Sequence, residues 1–284
     1  MRTLFFALIA GIFLGACGNP PDVLVVGAVE KQIGAFPLEF ALNTGILSAD
    51  HFQIRRFSSE VRLATALAEG RVDAAMLPFL HFAGVDAPVK LFSSMQREGG
   101  GIVCEASEFA DTRGYHVGVH TGCMVPMLSV LVTDSLRLGW ELTEYDDRED
   151  MANALQTGEM QALADAVPYL LGYGDENDGI LWFSEVLPGY PAADLLATNH
   201  AIEHKRALLD EAVEAAIAAA SFINAYPNEA NDRFLTIYPF SRRAIRKTLT
   251  RTWYYTAIDE QSRAFRHRAA AMLGTNTDSL YITP

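Results

Sequence analysis

Two short stretches, ALAEGRVDAA at residues 66–75 and ALQTGEMQA at residues 154–162, share one order: the end of a helix, a glycine, then an apolar run. Glycine reaches the left-handed backbone that stops a helix at little steric cost, so each copy prescribes a helix end followed at once by a strand. The surroundings repeat as well. A continuous β-branched run at 23–29 and further candidate strands at 52–57, 74–77 and 89–94 surround the first copy, separated by a helix over 36–44 that ends at Gly45 and a second helix that ends at Gly70. Around the second copy the order is strand 116–119, helix 121–138, strand 140–145, helix 148–157, strand 162–165. Strands alternating with helices predict βαβ units and a largely parallel sheet, here twice over.

A chain of 284 residues, half of them apolar, is long enough for two lobes of ordinary size. Lobe 1 is expected at 23–101 together with 198–284, and lobe 2 at 102–197. Gly99, Gly100 and Gly101 before the apolar 102–104, and residues 195–198 after the Pro188-Gly189-Tyr190-Pro191 turn, are the expected crossings, and two crossings make a hinge. Beyond Asn199, an expected N-cap, an Ala-rich helix to 226 precedes helices near 228–235, 241–252 and 259–273, which return to lobe 1.

The N-terminus addresses location. Arg2 precedes an apolar run at 4–14 that is too short to span a bilayer, the form of a secretory signal. Leu14, Gly15 and Ala16 before Cys17 resemble a lipobox, which makes 1–16 a lipoprotein signal peptide, Cys17 a lipidation site and membrane anchor, and 17–22 a tether. Cys104 and Cys123 then remain in a compartment that permits disulfides, and their spacing leaves pairing and free thiols both open. Without a CxxC, and with seven histidines scattered singly, no metal site and no cofactor is expected. A formal charge of −13 without a basic stripe excludes nucleic acid as a partner.

The paired motifs, with LNTGIL at 42–47, DTRGYHVGV at 111–119 and AYPNEA at 225–230, resemble the type II periplasmic binding proteins of the nitrate, sulfonate, taurine and thiamine-precursor group, the NMT1/THI5-like family. Gln161 departs from the pattern, which has aspartate in the second repeat. The resemblance implies an α/β fold of two lobes with a hinge and an interlobe ligand cleft. It also implies an exported monomeric lipoprotein that hands a small molecule to an ABC permease and ATPase. Two other roles occur on such a fold. One is an enzyme similar to chorismate dehydratase or the THI5-like pyrimidine synthases, against which the export signal counts, with His120 the nearest catalytic candidate. The other is a sensor that presents ligand to a membrane kinase.

Open parallel sheets bind ligands at the carboxyl ends of their strands, which gives the candidate residues. Lys31, Gln32 and Phe36 follow the first strand. Ser58 and Ser59 follow the second, as ligand hydroxyls or as plain helix caps. Pro78 and Phe79 follow the third, and Gln96 and Arg97 the fourth. Lobe 2 offers Thr121, Gly122 and Cys123 at a strand-to-helix turn, then Asp165 and Tyr169, with Tyr190 at the second crossing. Cys123 has three readings: a thiol contact, half of a disulfide, or a small buried residue. A buried nitrate or sulfonate needs paired positive charge, for which Lys31 and Arg97 stand out. Phe36, Phe79, Tyr169 and Tyr190 suit a flat ring, so an aromatic or heterocyclic vitamin precursor is favoured over sulfonate or nitrate.

Overall fold

The β-branched run near the start of the chain becomes a strand buried on both faces, as a central parallel strand must be. A computed structural model describes residues 23–121, 123–173, 179–272 and 274–281. One sheet contains β1 (Leu24–Val29), β2 (Phe52–Phe57), β3 (Ala74–Leu77) and β4 (Val89–Arg97). The other contains β5 (Gly100–Cys104), β6 (His116–His120), β7 (Glu141–Tyr145), β8 (Ala162–Ala166) and β9 (Ile180–Trp182). The chain then returns to the first sheet as β10 (Pro191–Thr198) and β11 (Trp253–Tyr254). The orders are β11-β4-β10-β3-β1-β2 and β7-β6-β8-β5-β9. In each sheet a parallel trio, β2-β1-β3 or β7-β6-β8, is completed by antiparallel strands.

The crossovers are helical. The helices of the first sheet's trio are α1 (Phe36–Thr44) and α2 (Glu60–Ala68), and those of the second are α3 (Val125–Leu136) and α4 (Arg148–Thr157). Gly70 and Gly158 lie in the left-handed region at φ 69° and 77°, so both copies of the motif stop their helices as the glycines require. The remaining helices are α5 (Asn199–His204), α6 (Arg206–Ala225), α7 (Pro227–Ile237), α8 (Arg242–Arg251) and α9 (Glu260–Met272). No helix among the described residues is long and apolar enough to cross a membrane.

Several expected boundaries shift for physical reasons. Residues 195–198 are not a crossing but the interior of β10, paired on both sides, so the chain leaves the first sheet after Arg97 and rejoins it at Pro191. Thr198, not Asn199, caps the next helix, its hydroxyl accepting from Ala201 N at 3.0 Å. The single helix expected over 199–226 breaks at Lys205, whose ammonium donates to Val23 O and Asp73 at 2.8 Å each. The helix expected from 121 begins at Val125, with Pro126 in its first turn where a missing N–H costs nothing.

The core explains where the aromatics went. Phe36 is wholly buried among Phe40, Phe234, Tyr238 and Tyr254, so it joins α1 to the C-terminal helices instead of walling a cleft. Phe79 is equally buried, and its N–H donates to Asp194 at 3.3 Å. Asp194 on β10 also accepts from Ser94 at 3.0 Å and pairs with Arg266 of α9, with both charged side chains 0% exposed. Tyr190 is buried too, its hydroxyl accepting from Gly100 N at 2.6 Å. It braces the start of β5.

Candidate functional site

A cavity of about 70 Å³ lies where the two sheets face each other, lined from the carboxyl ends of β1, β2 and β3 on one side and of β6, β7 and β8 on the other. The first side presents Lys31, Gln32, Glu60, Pro78 and Gln96; the second presents Cys123, Arg148, Ala166, Val167 and Tyr169.

The most organised group is Arg148, the first residue of α4. Its Nε and Nη2 donate to the two oxygens of Asp165 at 2.7 and 3.2 Å, and its guanidinium lies 3.7 Å from the centre of the Tyr169 ring. Asp165 is 0% exposed and Arg148 26%. The pair is therefore held by a buried carboxylate, while Arg148 itself lines the cavity and its Nη1 has no hydrogen-bond partner among the described residues. Planar guanidinium forks suit carboxylate, sulfonate and phosphate oxygens. Tyr169 is held in turn by Phe240, edge-on at 5.1 Å.

Facing this group is Glu60, first residue of α2, which accepts from Gln32 Nε2 at 2.9 Å and from His81 Nε2 at 2.7 Å. Cys123 lines the same cavity. Burial pushes its thiol well up, Asp165 and Glu60 add to the rise, and Arg148 only partly offsets it, so the sulfur stays protonated. Burial, then Arg148, pushes His120 below its ordinary range, keeping the ring neutral.

His120, Cys123 and Asp165 bring their ligand atoms within 4.8 Å of one another, a grouping with the donor types of a metal site. Asp165 nevertheless receives four hydrogen bonds, two from Arg148 and one each from Ala166 N at 2.8 Å and Tyr173 Oη at 3.3 Å. A carboxylate has about four acceptor sites, so the trio as arranged leaves none on Asp165 for a cation and has a guanidinium beside it.

The other sequence candidates divide clearly. Gln32, Gln96, Cys123 and Tyr169 line the cavity, while Asp165 stands behind it, holding Arg148. Ser59 caps α2, its hydroxyl accepting from Arg62 N at 3.3 Å, and is not part of the wall. Thr121 is not part of it either, because its hydroxyl donates to Asp146 at 2.6 Å. Arg97 pairs with Asp259 and stacks on Tyr255 at 3.7 Å, away from the cavity. Gly122 and Cys17 lie outside the described residues; Cys104 and Cys123 are both free thiols.

Arg148 and Glu60 were missed. Each follows the carboxyl end of a parallel strand, β7 and β2, the rule that nominated the others. Arg148 is moreover the lone cation in the acidic run Asp146, Asp147, Arg148, Glu149, Asp150.

Solved structures share this architecture. The periplasmic aliphatic sulphonate binding protein SsuA from Escherichia coli aligns with a TM-score of 0.76 at 16% identity, over 93% of this chain and 93% of that one. A zinc-bound ligand-binding component of an ABC-type import system from Staphylococcus aureus aligns at 0.75 and 14% identity, over 93% and 97%. A Candida albicans protein described as having the generic periplasmic binding protein fold aligns at 0.66 and 12%, over 89% and 90%. This chain has the periplasmic-binding-protein fold. No protein-family model matches the sequence and no curated protein matches it either.

Proposed function

We propose that this protein is the substrate-binding component of an import system, closing two lobes on a small organic anion whose head group is held by Arg148. The observation that carries the reading is the partly exposed ion pair: a guanidinium fixed by a buried Asp165, stacked on Tyr169 and lining the cavity. Binding in such clamps shifts the populations of open and closed states, and the closed surface is what a permease would read. The lobes we assign are 23–97 with 191–281, and 100–182, joined by the two chain crossings.

An anion is favoured over the flat heterocycle that the sequence suggested, because three of the four aromatics meant to stack on a ring are in the core. A binding role is favoured over an enzyme by the architecture, which is shared with solute-binding components of import systems. Export and a lipid anchor at Cys17 complete the proposal and rest on the lipobox-like sequence alone. The SsuA likeness supports a sulfonate-sized ligand without fixing its chemistry.

A thermal-shift screen of the purified protein tests this reading, using carboxylates, sulfonates, phosphonates, nitrate and uncharged pyrimidines, since ligand binding raises apparent stability by mass action. Stabilisation by a small organic anion, lost in Arg148→Gln, is expected. Stabilisation by an uncharged ring that survives Arg148→Gln would overturn it.

A further inference from the structure

The formal charge of −13 hides one basic face. We infer that α8, Arg242–Arg251, is a contact surface for anionic phospholipid, which lays this helix against a membrane; the inference is independent of the ligand reading of Arg148. The ten residues of α8 carry five cations and no acid. Arg243, Lys247 and Arg251 follow one another at intervals of four, with Arg242 and Arg246 in the row beside them. Ile245, Thr248 and Leu249, on the opposite face, are buried. Residues four apart share a helix face, so the cations form one band. The four arginines are exposed and Lys247 is half-buried. No basic stripe was expected from the sequence, because the cations are interrupted by apolar and hydroxyl residues; the helical period brings them together.

Two local rules are broken here. Arg242 and Arg243 occupy the first turn, where the helix dipole favours acids, and like charges four residues apart repel. Pairing does little to relieve this. Asp232 pairs with Arg242, but both side chains are well exposed, where an ion pair contributes little. Arg246 and Lys247 form no ion pair among the described residues. Local rules broken without compensation inside the fold point to a partner outside it. A plane of phosphates fits better than a single carboxylate, because the band covers about half of the helix circumference and runs its whole length, about 15 Å. Trp253, two residues beyond Arg251, is 57% exposed, and indole is a side chain that settles at the headgroup level of a bilayer. The acidity of the rest of the chain does not cancel the attraction, since exposed charges more than about 8 Å apart are largely screened at physiological ionic strength.

Vesicle sedimentation tests the inference on the purified full-length chain carrying Cys17→Ser, which removes the expected acylation site. Vesicles of phosphatidylcholine alone are compared with vesicles of an equimolar mixture of phosphatidylcholine and phosphatidylglycerol. Attachment through an apolar N-terminal segment would not distinguish the two, so the readout is the preference for the anionic vesicles. That preference is expected to be at least tenfold at low salt and to fall as salt is raised. Each Lys or Arg near an anionic surface is worth about fivefold in affinity. Arg246→Gln combined with Lys247→Gln should therefore weaken binding to the anionic vesicles at least tenfold, with a melting curve that shows the fold intact. Ligand stabilisation should be retained in that variant, so the outcome is separate from the anion site at Arg148. A preference that survives the double substitution or high salt overturns the membrane contact. Equal binding to the two kinds of vesicle, or binding to neither, overturns it too and leaves the basic band to an acidic protein surface.

Discussion

Asp194 in one sheet and Asp165 in the other are both wholly buried strand carboxylates gripped by an arginine, yet the two pairs do different things. Arg266 is sealed with Asp194, its Nε and Nη1 without hydrogen-bond partners among the described residues, and the pair ties α9 to β10 and to Ser94 of β4. Arg148 reaches Asp165 from the edge of a cavity and keeps a quarter of its side chain exposed. A buried salt bridge is therefore no mark of a site by itself. Breaking a sealed pair strands a charge, whereas a pair that lines a cavity keeps an arginine within reach of whatever enters. Residue type and partner are the same; solvent access to the arginine is what differs.

The sharpest way to break this comparison is Arg266→Met, which leaves Asp194 buried and uncompensated. It should lower unfolding stability by about 3–5 kcal/mol in denaturant titration, with ligand affinity unchanged in the folded fraction. Phe36→Ala should cost about 3 kcal/mol as a core cavity. A selective loss of affinity with normal stability would instead return Phe36 to the cleft. For Arg148→Gln the balance reverses: about 1.5–3 kcal/mol of stability, because Tyr173 and Ala166 N still satisfy Asp165 in part, but about a 10- to 100-fold loss of affinity.

The smallest effect is the pH response of His120. Its folded value is lowered from 6.5 by burial and then by Arg148, so above that pH the ring is neutral in both states and contributes nothing. Below it the unfolded chain takes up the proton first, and stability falls as pH falls. Melting temperatures from pH 7.5 to 5 should show this slope, and His120→Asn should flatten it.

Features set by local backbone chemistry were legible in the sequence. Gly45, Gly70 and Gly158 ended helices because a left-handed residue is needed there, and the βαβ alternation followed. What long-range contact decides was hidden. β10 inserts antiparallel between β3 and β4, a pairing that no local pattern announces. The helix break at Lys205 depends on Val23 and Asp73, both far away in sequence. At the site, strand-end topology named Gln32, Gln96, Cys123 and Tyr169, which line the cavity, but it could not tell which way a loop aromatic points. Phe36, Phe79 and Tyr190 are buried in the core, which only long-range packing decides. In the sequence Arg148 marks only the start of a helix in an acidic run, and the fold reveals Asp165 behind it.

The most direct test of the account is the dissociation constant of the best small organic anion for the wild type and for Arg148→Gln, measured by calorimetry on folded protein. The account predicts a loss of at least tenfold in the variant. Equal constants would show that the ligand is held elsewhere and that the Arg148–Asp165 pair is scaffold, like its counterpart in the other sheet.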